Sequence, residues 1–189
     1  MLNQKQLTSL SKFISLVLRH KPETLGLTLD ENGWADTAIL IDKMNSKGLK
    51  ISMELLEHVV ATNSKKRFSF NEDKTKIRAS QGHSIDINLQ LSPVQPPAVL
   101  YHGTGERSIA SILQNGLQKR NRHHVHLSAD IKTAVDVGKR HGKPVVFLVD
   151  AATMHAEGLE FYLSANGVWL TDNVPSKYLR TKGDKLADH

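Results

Sequence analysis

A proline-rich segment near the middle of the chain limits how the chain can fold more than any other sequence feature. Three of the six prolines fall within residues 91–97, and proline supplies no backbone N–H for a helix or a central strand. This segment is therefore predicted to be an extended linker. We divide the chain into a first domain over residues 1–85, a linker over 86–97, a second domain over 98–179 and a charged tail over 180–189.

The composition is that of an ordinary globular protein. Hydrophobic residues make up 39% and charged residues 23% of the 189 positions, which is enough apolar material for a core. No apolar run approaches the roughly 20 residues of a membrane span, and the first residues lack a signal-peptide pattern. The chain has no cysteine, which excludes disulfides, thiolate catalysis and cysteine metal sites. We therefore expect a cytoplasmic protein with no membrane partner.

The chain is basic. Its formal net charge is +6, and it has ten histidines in addition. Such a balance suits a phosphate-rich partner, of which nucleic acid is the first candidate. A basic surface that serves solubility alone is the alternative.

The first predicted helix ends at two residues that could bind a phosphate. Apolar residues recur at helical spacing up to Leu18, and Pro22 prevents the helix from continuing. Arg19 and His20 therefore fall on its last turn, at the edge of the buried face.

The rest of the first half completes the element order of a winged helix. Alternating leucines over residues 25–29 predict a short strand, and capping residues open two more helices near Asp36 and Ser52. Two alternating segments, residues 65–70 and 75–79, then predict a hairpin. Helix, strand, helix, helix and hairpin is the order of the winged helix. Its usual function is DNA binding, so this half alone predicts a regulator.

The predicted hairpin has a basic outer face. Phe68 and Phe70 share the inward face under the two-residue period of a strand, so Arg67 points outward. Lys76 and Arg78 extend the basic surface. We expect this face to contact the phosphates of a nucleic acid.

The second half is predicted to be a compact, mostly β domain with small helices. It opens on Val99-Leu-Tyr-His-Gly-Thr104, where Gly103 would let a ligand come close to the backbone of a buried strand. A second strand pattern, Arg122-His-His-Val-His-Leu-Ser128, has one apolar and one polar face. Two strand ends that carry His, Thr, Ser and Arg predict a pocket for a polar, phosphorylated molecule. A solvated pair of strand ends is the alternative.

Several familiar cofactor and catalytic motifs are missing from the sequence. There is no GxxxxGK phosphate loop, and residues 102–105 lack the spacing and context of the dinucleotide fingerprint. His123, His124 and His126 have no further ligand at metal-binding spacing, so no metal is predicted. No nucleophile elbow is present for a Ser-His-Asp hydrolase. Exposed arginines and histidines remain as candidates, because Arg binds phosphate oxygens in pairs and His moves protons near neutral pH.

Seven motifs in order make the chain resemble the RNA 2′-phosphotransferase family from about Leu7 to Tyr178. They are Ser15-Leu-Val-Leu-Arg-His-Lys-Pro22, Asp30-Glu-Asn-Gly-Trp34, Lys66-Arg-Phe68, Ile77-Arg-Ala-Ser-Gln-Gly-His-Ser84, Leu100-Tyr-His-Gly-Thr104, Arg122-His-His-Val-His-Leu-Ser128 and Gly167-Val-Trp-Leu-Thr171. Each motif is weak alone, but the ordered set is specific. Ser80 departs from the pattern, because the family usually has Asn there.

The resemblance implies an α+β fold and an enzyme in place of a regulator. An N-terminal winged-helix lobe would be followed by an ADP-ribosyltransferase-like lobe, mixed α/β with a β-rich core. The implied enzyme removes an internal 2′-phosphate from a tRNA-like RNA, uses NAD as co-substrate and needs no metal. The phosphate first displaces nicotinamide, which gives an ADP-ribosylated RNA 2′-phosphate. Transesterification then yields 2′-OH RNA and ADP-ribose 1″,2″-cyclic phosphate.

The resemblance also implies roles for individual residues. Catalysis would be carried by Arg19, His20, Arg67 and Arg122. Among these, Arg19 and Arg67 would hold the 2′-phosphate, while His20 and Arg122 would assist transesterification. The NAD site would be lined by His102, Gly103, Thr104 and Ser128. RNA contacts would add Arg78, His83 and Ser84 to Arg19 and Arg67.

Two other functions stay open at this point. One is a winged-helix nucleic-acid-binding regulator whose second lobe senses a nucleotide. The other is an ADP-ribosyltransferase that acts on another acceptor. We expect the protein to act as a monomer in each case.

Overall fold

In the computed structural model, which describes residues 2–182, the chain separates into two units between Gln90 and Leu91. The first unit contains α1 (Gln4–Arg19), β1 (Ala35–Asp36), α2 (Thr37–Ser46), α3 (Met53–Thr62), β2 (Phe68–Phe70) and β3 (Lys76–Ala79). The second contains β4 (Val99–Gly105), α4 (Ile109–Asn115), β5 (Leu117–Gln118), β6 (Val125–Leu127), α5 (Ile131–Gly138), β7 (Pro144–Asp150), α6 (Ala151–Ala156), β8 (Phe161–Leu163), β9 (Trp169–Thr171), β10 (Asn173–Val174) and β11 (Leu179–Thr181). The predicted α+β class is confirmed.

Helix α1 ends where the sequence predicts. Its first turn is closed by a reciprocal pair, in which the side chains of Asn3 and Gln6 each accept from the other's backbone N–H at 2.9 Å. The side chains of Ile14, Val17 and Leu18 are fully buried. The helix therefore anchors its last residue, Arg19, against the core of the first unit.

The strand predicted over residues 25–29 is wrong. Residues Pro22–Leu25 form a 3₁₀ turn, and Gly26 follows with a left-handed backbone (φ 58°). The N–H of Leu27 donates to the carbonyl of Pro22 at 2.9 Å, so the backbone bonds stay local. Leu25 and Leu27 are nevertheless buried. The alternation of these leucines therefore reflects side-chain burial in the core and not the hydrogen bonding of a β-strand.

A three-stranded antiparallel sheet closes the first unit. Its strand order is β1-β3-β2. Ile77 of the central strand β3 lies opposite Ala35 of β1 on one side and opposite Phe70 of β2 on the other. The two preceding helices begin at the predicted caps, because the side chains of Asp36 and Ser52 each accept a backbone N–H of the first turn. The predicted hairpin is confirmed.

The second unit is built on two three-stranded antiparallel sheets, beside a two-stranded sheet of β10 and β5. One has the order β11-β7-β4, and β4 pairs with β7 along its whole length. The other has the order β6-β9-β8. A backbone bridge between Tyr101 and Ser128 joins the two sheets, with N–H to carbonyl distances of 2.9 and 2.7 Å. The strand ends named above as a pocket are therefore direct neighbours.

The linker, residues 86–97, has no helix or strand but is attached at both ends. The N–H of Asn88 donates to the Glu31 carbonyl in the first unit at 2.7 Å. The N–H of Val94 donates to the Phe161 carbonyl in the second unit at 2.8 Å. Pro96 is buried. The start of the linker is thus hydrogen-bonded to the first unit, and its later part is hydrogen-bonded to the second.

The folded chain continues past residue 179. Arg180 and Thr181 belong to β11 and lie opposite Leu148 and Phe147 of β7, so the charged tail does not start at residue 180. The remainder of that predicted tail, residues 183–189, lies outside the described residues. Within residues 2–182, no helix has the length and apolar character needed to cross a membrane.

Candidate active site

Three of the predicted site residues meet at the end of α1 in the first unit. The N–H of Ser84 donates to the Arg19 carbonyl at 2.9 Å, and Ser84 Oγ lies 2.9 Å from His20 Nδ1. His20 is exposed, and Arg19 is half-buried. The bond to Ser84 therefore orients the His20 ring at the end of α1.

Arg67 is held through its backbone. Its carbonyl accepts from Ser80 N at 2.8 Å, and its N–H donates to Asn63 Oδ1 at 3.4 Å. Asn63 also donates from Nδ2 to Ser11 Oγ on α1 at 2.7 Å. The amide of Asn63 therefore links the segment that carries Arg67 to the same helix that carries Arg19. Ser80 also binds this segment through its side chain, since its Oγ donates to the Lys66 carbonyl at 3.0 Å.

Arg78 lies on an aromatic platform. Its guanidinium carbon is 4.4 Å from the centroid of the Trp34 ring, and Nη1 donates to the Asn32 carbonyl at 3.4 Å. Asp30 shapes the turn beneath it by accepting from the N–H groups of Asn32 and Trp34. Burial lowers the pKa of Arg78, and the nearby Asp30 opposes that shift. Stacking on the Trp34 ring holds the guanidinium of Arg78 in a fixed plane, so that its outer edge is presented to a ligand in one orientation.

His83 lies in the interior. Its side chain is only 1% exposed, and a Cβ on Gly33 would stand 3.3 Å from its Nε2. Gly33 has a left-handed backbone (φ 80°), so its lack of a side chain serves both the turn and the histidine. The burial of His83 favours a supporting position next to Ser84 over the direct RNA contact that we predicted.

In the second unit, His102 has a defined hydrogen bond and a lowered proton affinity. Its Nδ1 lies 3.2 Å from the backbone carbonyl of His126, which requires the proton on Nδ1 and leaves Nε2 as an acceptor. Burial lowers the pKa of His102, the hydrogen bond to the His126 carbonyl opposes that shift, and His141 adds to it. The ring is therefore neutral at physiological pH.

Gly103 lies where the backbone of a helix packs closely against β4. A Cβ at this position would lie 1.6 Å from the carbonyl oxygen of Ala134 on α5. The backbone of α5 therefore comes close to β4 at this glycine, which accounts for the lack of a side chain there. Thr104, the next residue, is 7% exposed and sits beside Gly138 at the end of the same helix.

Arg122 is oriented by a histidine that the sequence analysis did not select. Its Nη1 lies 3.3 Å from His126 Nδ1, and its backbone N–H donates to the Lys119 carbonyl at 3.0 Å. His126 thus contacts both Arg122, through its ring, and His102, through its carbonyl. The sequence feature that could have pointed to His126 is the alternation that places it with His124 on the polar face of the predicted strand.

The structure places the candidates in two groups, each described within its own unit. The first group contains Arg19, His20, Arg67, Arg78, His83 and Ser84. The second contains His102, Gly103, Thr104, Arg122 and Ser128. Among residues 2–182, no cluster of three or more His, Asp or Glu side chains could hold a metal ion.

Comparisons with known proteins agree on one family. A family model described as "RNA 2'-phosphotransferase, Tpt1 / KptA family" matches residues 5–173. A protein of Fusobacterium nucleatum is 57% identical over 172 residues, which cover 90% of this chain and 96% of the relative. A protein of Flavobacterium johnsoniae is 55% identical over 181 residues, covering 96% of this chain and all of the relative. One of Hahella chejuensis is 57% identical over 175 residues, covering 93% and 94%. All three carry the name "Probable RNA 2'-phosphotransferase".

Proposed function

The chain belongs to the RNA 2′-phosphotransferase family, and on that premise we propose that it removes an internal 2′-phosphate from RNA by transferring it to NAD. The observation that carries this proposal is the extent of the match. Residues 5–173 include every residue in both candidate groups. The relatives are also matched over almost their whole length. The proposed substrate class therefore rests on similarity over both units and not on one domain that unrelated enzymes could share.

The two units correspond, in this proposal, to a winged-helix lobe and an ADP-ribosyltransferase-like lobe. The element order of the first unit supports the former, because three helices precede a hairpin whose strands form one sheet with the short strand β1. The paired antiparallel sheets of the second unit support the latter. The basic first unit would then bind RNA phosphate in the service of catalysis.

In the first step an oxygen of the RNA 2′-phosphate forms a bond to C1″ of the nicotinamide ribose, and the glycosidic bond to nicotinamide breaks. The nucleophile belongs to the RNA, so the protein's task is to hold it. Arg19 and Arg67 suit this task because guanidinium groups bind phosphate oxygens in pairs. The backbone bonds that fix both segments reduce the entropy lost when the phosphate binds.

In the second step the 2″-hydroxyl of the ribose attacks phosphorus, and the bond from phosphorus to the RNA 2′-oxygen breaks. One proton leaves the attacking hydroxyl, and the RNA oxygen gains one. His20 is suited to move a proton because Ser84 orients its ring. Arg122 stabilises the charge that develops on the phosphate.

The donor set of the second unit suits NAD. His102, Thr104 and Ser128 offer an imidazole and two hydroxyls, which match ribose hydroxyls and a pyrophosphate. NAD supplies an activated glycosidic bond when it is bound. The neutral ring of His102 can accept a hydrogen bond from a ribose hydroxyl through Nε2, since Nδ1 is already donating.

The direct test is to mix the protein with NAD and an oligonucleotide that carries one internal 2′-phosphate. We expect nicotinamide release together with 2′-OH RNA and ADP-ribose 1″,2″-cyclic phosphate. An oligonucleotide with a 2′-hydroxyl in place of the phosphate is the matched control and should release no nicotinamide. A nucleic-acid-binding regulator would release none with either RNA. A transferase for another acceptor would leave ADP-ribose attached to its target.

A further inference from the structure

A cavity of about 380 Å³ lies in the second unit beside the β6-β9-β8 sheet. Its walls include the side chains of His124, Glu160, Tyr162 and Asp172, none of which has a role in the reaction proposed above. Its volume falls in the range that binds small organic groups. The size therefore suits one planar ring system.

Two aromatic rings form part of its wall. The ring centroids of His124 and Tyr162 are 5.4 Å apart, with a tilt of 53° between the planes. Burial lowers the pKa of His124, as do His123 and Lys119, while Asp172 opposes them. The imidazole is thus uncharged near neutral pH. An uncharged pair of rings presents π faces on which a planar ligand can stack.

Two carboxylates supply hydrogen-bond acceptors beside these rings. Glu160 accepts from the Tyr162 hydroxyl at 2.8 Å, and Asp172 accepts from Lys119 Nζ at 2.5 Å. A carboxylate has about four lone-pair positions, so each group can accept further bonds. The cavity therefore favours a planar ligand with N–H donors and disfavours a phosphate.

One residue that lines the cavity is close in sequence to the residue proposed to stabilise the reacting phosphate. His124 directly precedes β6 and is two positions from Arg122 on one side and from His126 on the other. The ring of His126 contacts Arg122 at 3.3 Å. A group bound at His124 would therefore lie near a phosphate bound at Arg122.

We propose that this cavity holds an unstacked base of the RNA, next to the 2′-phosphorylated nucleotide, and that it prefers guanine. Single-stranded RNA is commonly recognised by stacking a base on aromatic side chains and bonding its Watson–Crick edge. Guanine offers adjacent N1–H and N2–H donors to the carboxylate of Glu160, whereas uracil offers one N–H between two acceptors. The inference rests on the proposed function, because it identifies part of the same substrate.

The test uses 2′-phosphorylated oligonucleotides that differ only in the base beside the phosphorylated nucleotide. For the wild-type protein we expect a KM about tenfold lower with guanine than with uracil. Glu160→Gln should abolish this preference with little change in kcat, and His124→Ala should raise KM for both RNAs. Asp42→Asn, an exposed carboxylate on α2, is the matched control and should keep the preference. Equal KM values in the wild type would overturn the proposal, as would a preference that survives Glu160→Gln.

Direct binding separates this proposal from the proposed function. The affinity of unreactive 2′-OH oligonucleotides with guanine or uracil is measured by fluorescence anisotropy for the wild type and Glu160→Gln. A guanine preference that Glu160→Gln removes would support the base site even if no RNA released nicotinamide, in which case only the proposed function fails. Phosphotransfer without a base preference in either assay would refute the base site alone.

Discussion

The ring of His20 and the hydroxyl of Ser84 lie 2.9 Å apart, although 64 positions separate them in the chain. A second bond, from Ser84 N to the Arg19 carbonyl at 2.9 Å, fixes the serine against the end of α1. Hydrogen bonding at Nδ1 fixes the orientation of the ring. Ser84 therefore determines how the ring of His20 is presented for proton transfer.

Removal of the Ser84 hydroxyl should slow the step that needs the proton. Because misplacement of a catalytic group commonly costs about tenfold to a hundredfold in rate, Ser84→Ala should slow the second step by that factor and leave nicotinamide release nearly unchanged. Ser84→Thr keeps the hydroxyl and should restore the rate. The readout is the ADP-ribosylated RNA intermediate on a denaturing gel. A raised KM without any intermediate would instead assign Ser84 to RNA binding alone.

Loss of His20 or Arg122 should separate the two steps more strongly. Each of His20→Ala and Arg122→Ala removes a group needed for transesterification, which commonly costs about 10²–10³ in rate. The ADP-ribosylated intermediate should accumulate in a time course with end-labelled RNA. Arg67→Ala should slow formation of the intermediate, because the attacking phosphate is poorly held. Arg120→Gln, an exposed neighbour of Arg122, is the control. Equal loss of both steps in all three variants would contradict this division of roles.

Local patterns predicted the parts of the fold that depend on neighbours in the sequence. Pro22 placed the end of α1, and the two-residue period located the hairpin. The same reasoning failed at residues 25–29, because alternation reports which side chains are buried and does not show where backbone bonds go. Whether the backbone N–H of Leu27 donates to another strand or to the carbonyl of Pro22 depends on the turn that precedes it.

The candidate site was predicted only in part for a related reason. Residue chemistry pointed to Arg19, His20 and Arg122, which carry charge wherever they lie. Ser84 was predicted only as an RNA contact and His126 was not selected, because the contacts by which they orient His20 and Arg122 depend on how the chain packs. The close approach of Ala134 to Gly103 could not be predicted either, because it depends on how α5 packs against β4.

Binding of RNA should weaken steeply as salt rises. Phosphate contacts release counterions, so the logarithm of the affinity falls linearly with the logarithm of the salt concentration. For single-stranded RNA, loss of one contact in Arg67→Gln should reduce that slope by about 0.7. Fluorescence anisotropy over a salt series measures it, with Lys5→Ala on the exposed start of α1 as the control. A flat affinity in the wild type would argue against a phosphate-binding surface.

A side chain at Gly103 should destabilise the second unit. In Gly103→Ala the new methyl group would overlap the Ala134 carbonyl, so β4 and α5 must move apart. Overpacking of this kind costs about 1–3 kcal/mol or more. Gly48→Ala has no neighbour within 4 Å and carries only the strain of its left-handed backbone (φ 82°), which is worth about 1–2 kcal/mol. Thermal melts should show the larger loss for Gly103→Ala, and equal losses would refute the packing argument.

Stability should fall when the protein is acidified below the ordinary histidine pKa of 6.5. Burial lowers the pKa of both His102 and His124 in the folded protein. In the pH range between the lowered and ordinary values, the unfolded chain therefore binds more protons than the folded one. Acid then favours unfolding, and the stability contributed by the neutral rings is lost as the pH falls through that range.

Replacement of the buried histidines should flatten this dependence. His102→Asn keeps a side-chain N–H donor for the His126 carbonyl but cannot take up a proton. We expect its melting temperature to fall less than that of the wild type between pH 7.5 and pH 5.5, and the double variant with His124→Asn to fall less again. His155→Gln, an exposed histidine on α6, should follow the wild type. If His102→Asn lost as much stability on acidification as the wild type, the neutral state of His102 would not contribute to folding, and its assignment as an uncharged acceptor through Nε2 would lose its support.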